Sequence, residues 1–117
     1  MGRIAFSSDR TGHSDIYWKA SSGIGADEPV LVNADTKYLE DWSPDGKLLL
    51  FNVRSAEIQA VSLGGDRKPY PVLKSAFSQD HARLSPDGRW IAYVSRESGR
   101  DEVFVQNFPP AGGKWQI

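Results

Sequence analysis

Apolar residues run in short bursts separated by turn formers, and no window shows the 3.6-residue spacing of a helix. Leu48-Leu49-Leu50-Phe51 and Trp90-Ile91-Ala92-Tyr93 are apolar without alternation, the pattern of strands covered on both faces. Glu57 to Leu63 alternates with one slip, through Ile58 and Ala60 and then Val61 and Leu63. Gly64-Gly65-Asp66 breaks that run. Bursts and breaks together predict eleven strands. They are Ile4 to Ser7, Asp15 to Lys19 and Pro29 to Val32; Lys37 to Ser43, Lys47 to Val53, Glu57 to Leu63 and Tyr70 to Leu73; His81 to Leu84, Trp90 to Ser95, Glu102 to Phe108 and Lys114 to Ile117.

The grouping follows from a repeat. Trp42-Ser43-Pro44-Asp45-Gly46-Lys47 returns 42 residues later as Leu84-Ser85-Pro86-Asp87-Gly88-Arg89. A period near 40 with four strands per unit is the signature of β-propeller blades. Pro44 and Pro86 preset φ at about −65°, Asp45 and Asp87 bond back to the backbone, and Gly46 and Gly88 accept positive φ. These six residues therefore read as a structural turn joining the innermost strand of a blade to the second. A second phrase repeats in the same register: Ser8-Asp9-Arg10-Thr11-Gly12-His13-Ser14-Asp15-Ile16-Tyr17 aligns with Ser95-Arg96-Glu97-Ser98-Gly99-Arg100-Asp101-Glu102-Val103-Phe104. The middle unit is shorter there, at Arg54-Ser55-Ala56, so its hairpin is tighter. The expected units are residues 1–36, which lack an innermost strand, then 37–78 and 79–117.

Together the two phrases resemble the repeat of TolB-like, WD-type β-propellers. The end of the chain, Asn107-Phe108-Pro109-Pro110-Ala111-Gly112-Gly113-Lys114-Trp115-Gln116-Ile117, resembles propellers appended to bacterial serine/threonine kinases. The resemblance implies an all-β partial propeller of about three four-stranded blades, and a complete ring of six. It implies binding of partner proteins at the cell envelope by a propeller without catalysis. The same resemblance extends to propellers that gate or regulate prolyl-oligopeptidase-type hydrolases or bacterial kinases. No kinase signature motif is present, so it confers no kinase activity.

Composition narrows the partners. Apolar content of 39% with 25% charged residues marks a folded globular chain. Fourteen basic residues are interspersed with 15 acidic ones for a net charge of −1. Such a chain has no field drawing it to nucleic acid or anionic membrane. Cysteine is absent, which excludes disulfides and Cys-ligated zinc. No apolar stretch reaches the length of a membrane span, and the start shows no basic region before an apolar signal core. Membrane insertion is not expected, and the compartment stays open between cytoplasm and periplasm.

Enzyme signatures are missing. There is no Gly-x-Ser-x-Gly elbow, no Gly-x-x-x-x-Gly-Lys phosphate loop and no His-Glu-x-x-His motif. No catalytic residue and no cofactor is assigned. Asp9, Asp15, Asp101 and Glu102 give two carboxylates per loop, short of the roughly six to eight oxygens that calcium takes. They read as solvated turn caps, and no metal site is expected. His13 falls in a turn. His81 begins an innermost strand, and a shift of one period sets it opposite Leu39, Ala82 opposite Glu40, and Arg83 opposite Asp41. Innermost strands flank the propeller channel, so Glu40, Asp41, His81 and Arg83 are the candidate channel or rim residues. The competing reading is an ion pair between Asp41 and Arg83 without a ligand. Trp18, Trp42, Trp90 and Trp115 read as core; a stacking platform for sugars is the alternative, and no basic stripe accompanies them for bases.

Three blades do not close a ring. The open arch exposes two apolar sheet faces, which favours association. Either the chain is a segment of a longer protein, or two arcs form a six-bladed dimer. The functional expectation is a scaffold for protein or peptide binding. The alternatives are an accessory propeller of a larger enzyme and a small-ligand or sugar-binding propeller.

Overall fold

Turn clusters and doubly apolar strands fold into three antiparallel meanders. The computed structural model describes residues 3–33, 35–54, 57–64, 67–73, 79–108 and 114–116. Ser55-Ala56, Gly65-Asp66, Pro109 to Gly113, Ile117 and the side chain of Trp115 lie outside what it describes. The first sheet holds β1 (Arg3–Ser8), β2 (Asp15–Ala20) and β3 (Glu28–Leu31). The second holds β4 (Lys37–Trp42), β5 (Leu48–Val53), β6 (Glu57–Ser62) and β7 (Tyr70–Leu73). The third holds β8 (Gln79–Leu84), β9 (Trp90–Ser95), β10 (Glu102–Asn107) and β11 (Lys114–Gln116). No helix occurs among the described residues. The chain is a partial β-propeller of three blades, the first with three strands.

The middle sheet shows why its strands are apolar on both faces. Antiparallel pairing sets Leu49 against Val61 and Leu50 against Ala60. Leu49, Phe51, Val53 and Val61 pack on Ile16, Trp18, Val30 and Leu31 of the first sheet. Leu50, Ile58 and Ala60 face the other way, onto Ala82, Ile91, Tyr93 and Phe104 of the third. The slip in the alternation of Glu57 to Leu63 is therefore no break in the strand: each face needs its own apolar residues. Burying one such side chain contributes about 1.5–3 kcal/mol.

Every junction pairs a forward face of one blade with a backward face of the next. At the two ends of the arc one face of each kind is left over. Ile4 (52% exposed) and Phe6 lie on the backward face of the first sheet; Val103 (43% exposed), Val105, Ala92 and Val94 lie on the forward face of the third.

The innermost strands β4 and β8 stand side by side and both are bulged. Register shifts between Leu39 and Asp41 of β4, leaving Glu40 out of the ladder, and between Asp80 and Arg83 of β8. His81 lies in the second bulge with φ 55°, left-handed backbone rare for a residue with a side chain.

Candidate functional site at the innermost strands

The two Ser-Pro-Asp-Gly turns are built alike. Asp45 Oδ1 accepts the Ser43 hydroxyl (2.6 Å) and the Lys47 N–H (2.9 Å), while Ser43 Oγ accepts the Leu48 N–H at 3.0 Å. Asp87 Oδ1 accepts the Ser85 hydroxyl (2.5 Å) and the Arg89 N–H (3.0 Å), and Ser85 Oγ accepts the Trp90 N–H at 3.1 Å. Gly46 and Gly88 turn the chain at φ 77° and 73°. The hydroxyl donors hold both carboxyls below the usual carboxylate range. A groove of about 380 Å³ runs between the turns, floored by Leu48, Leu84 and Phe108 and flanked by Pro44 and Pro86.

Glu40, Asp41, His81 and Arg83 meet where β4 and β8 adjoin. Glu40, with a side chain 8% exposed, is the anchor. Its Oε1 accepts the amide of Asn52 at 2.7 Å and the backbone N–H of His81 at 3.1 Å. The bulge removes that N–H from its own ladder, and the neighbouring blade's carboxylate replaces the lost partner. Arg83 Nη1 donates to the Glu40 carbonyl at 2.5 Å and stands 3.7 Å from its Oε2. Asp41 instead accepts the Leu84 N–H at 2.8 Å. Arg83 thus faces Glu40 rather than Asp41, whose carboxylate is engaged by the Leu84 N–H. The side chains of His81 (73% exposed) and Arg83 (60% exposed) project into solvent. Asp80 Oδ1 lies 2.8 Å from His81 Nδ1, and this hydrogen bond raises the imidazole pKa above its ordinary value.

A second polar cluster was hidden in the sequence. Asp15 and Lys37 are fully buried between the first and second sheets, 2.5 Å apart. Lys37 Nζ also donates to Asn33 Oδ1 (2.8 Å) and the Asp35 carbonyl (2.6 Å), and the Thr11 hydroxyl donates to Asp15 Oδ2 (2.7 Å). Burial alone would raise the Asp15 pKa; the Lys37 ammonium and Thr11 hydroxyl reverse that and hold it below the ordinary value. Asp15 is therefore a buried ion-pair partner and not a solvated turn cap. Lys37 and Gln79 occupy the same place in the repeat, and both are buried. Gln79 Oε1 has no hydrogen-bond partner among the described residues.

Of the other residues considered, Trp18 packs in the core beside Trp42, ring centroids 6.4 Å apart, with the Arg3 guanidinium 4.1 Å above Trp18. Trp90 lies at the arc's open end, 38% exposed. Asp101 pairs with Arg96 at the surface, and Glu102 with Arg100. Among the described residues no group of three or more His, Asp or Glu side chains converges to hold a metal ion.

No protein-family profile and no characterised sequence matches the chain. Solved structures do. A protein solved as TolB from Agrobacterium tumefaciens superposes with a TM-score of 0.87 at 25% identity, over 99% of this chain and 42% of that one. TolB from Acinetobacter baumannii gives 0.81 at 24% identity, over 99% and 29%. The tricorn protease gives 0.70 at 17% identity, over 98% and 12%. The chain spans less than half the length of each of these proteins.

Proposed function

Taking the chain as an arc of a TolB-like β-propeller, we propose that it is a non-catalytic scaffold that binds a protein or peptide at the axial rim formed by β4 and β8. The observation that carries this reading is the pair of exposed side chains, His81 and Arg83, on a strained innermost strand fastened by the buried Glu40. Strained backbone with projecting polar groups is kept where the surroundings hold it, and such places cluster at binding sites. His81 and Arg83 offer a peptide donors from an imidazole and a guanidinium, while Asp80 supplies an acceptor. Selection from a random peptide library displayed on phage tests the reading. Wild-type protein should enrich a peptide family whose affinity falls at least about tenfold in the His81→Ala/Arg83→Ala variant. Equal binding by a variant with unchanged circular dichroism would contradict it.

The same reading includes self-association. The forward face around Val103 and the backward face around Ile4 are the two halves of a blade junction, so two arcs related by a twofold axis along the channel would make six blades.

The likeness to the tricorn protease favours a second reading, an accessory propeller in a larger enzyme. There the rim would gate access to chemistry located elsewhere. A protease or kinase domain encoded in the same open reading frame would decide for it.

A further inference from the structure

Both Ser-Pro-Asp-Gly turns are closed by one oxygen of their aspartate. Asp45 takes the Ser43 hydroxyl and the Lys47 N–H on Oδ1, and Asp87 takes the Ser85 hydroxyl and the Arg89 N–H on Oδ1. No donor reaches the Oδ2 of either aspartate among the described residues. Both residues are exposed, and both carboxyls lie below the usual carboxylate range, so each is charged at neutral pH. The turn does not require that charge, since the amide oxygen of an asparagine accepts the same two bonds.

The two aspartates line one groove. It lies between the second and third blades, about 380 Å³ in volume, on a floor of partly buried Leu48, Leu84 and Phe108. Its lining holds two carboxylates and no cationic side chain among the described residues. Lys47 and Arg89 give backbone N–H groups to the turns, lie outside that lining, and form no ion pair among the described residues. A metal ion is a poor match, because calcium gathers about six to eight oxygens. An organic cation on an apolar stem fits better. The stem covers the aliphatic floor, and a guanidinium, planar and weakly hydrated, stacks on an aromatic ring while it bonds a carboxylate.

We propose that this groove is a docking site for an extended segment of a partner protein in which an apolar residue is flanked by arginines. The apolar side chain rests on the floor, and the arginines meet Asp45 on one bank and Asp87 on the other. The apolar contact supplies affinity, and the carboxylates select basic segments over acidic ones. The site belongs to the ends of β4 and β8, where Trp42 and Leu84 lead into the turns, and it shares no residue with the rim at His81 and Arg83. Every residue it uses lies in the second and third blades.

The probe is an amidated, fluorescein-labelled peptide Gly-Arg-Leu-Arg-Gly added to the 117-residue protein. Anisotropy should show saturable binding, and amide NMR shifts should map to residues 43–48 and 84–89. The Asp45→Asn/Asp87→Asn protein, which keeps the acceptor oxygens of both turns, should bind about fivefold or more weakly with unchanged circular dichroism. Citrulline in place of both arginines, or serine in place of the leucine, should weaken binding by a similar factor. The His81→Ala/Arg83→Ala protein should bind the probe unchanged, so this site and the rim can fail separately. Absence of saturable binding, equal binding of the arginine and citrulline peptides, full affinity in the double asparagine variant, or loss of binding in the rim variant would each overturn the proposal.

Discussion

Lys37 and Asp15 carry the heaviest electrostatic obligation of any pair among the described residues, since both side chains are fully buried. Removing one partner strands the other's charge in the interior. Lys37→Met should destabilise the fold by about 3–5 kcal/mol in urea unfolding, and Asp15→Asn on that background should restore part of the loss. Acid should act on the same group and on the turns. Asp15, Asp45 and Asp87 have pKa values below those of the unfolded chain. Their contribution is full above the unfolded carboxylate range of about 4 and is lost as pH falls through the lower folded values. Asp15→Asn should therefore flatten the decline in melting temperature between about pH 5 and pH 2. His81 behaves with the opposite sign, its pKa being raised. Its NMR titration should centre above about 6.5 and move down in Asp80→Asn. The turn residues were legible in the sequence because their bonds close within five residues. The Asp15–Lys37 pair was not: its partners lie 22 residues apart on different sheets, and neither position advertises burial.

Strands were legible from bursts of apolar residues and their bounding turns, and the bounds agree to within one or two residues, from Tyr70–Leu73 to Gln79–Leu84. What the pattern hid was the pair of bulges on β4 and β8. The shift of 42 residues holds through both bulges, Asp41 opposing Leu50 as Arg83 opposes Ala92. The shift names equivalent positions in successive blades rather than neighbours across the junction, and there Arg83 meets Glu40 while Asp41 accepts the Leu84 N–H. The turns themselves depend on left-handed glycine. An added Cβ at Gly88 would meet no atom within 4 Å, so Gly88→Ala isolates the backbone cost. At φ 73° it should lower stability by about 1–2 kcal/mol in thermal or urea unfolding, with binding at the rim unaffected.

At the scale of the molecule, three blades form an arc whose end faces are the two halves of a junction already built twice inside it. The interior junctions are built on apolar clusters, one around Phe51 and one around Tyr93. The forward face around Val103 and the backward face around Ile4 remain open to solvent. A chain of this kind should complete its ring with a second copy. Sedimentation equilibrium of the 117-residue protein should give twice the 13.0 kDa chain mass, and Val103→Asp should return it to a folded single chain. A wild-type protein that stays at 13.0 kDa across micromolar concentrations, with intact β-sheet circular dichroism, would contradict the paired arc.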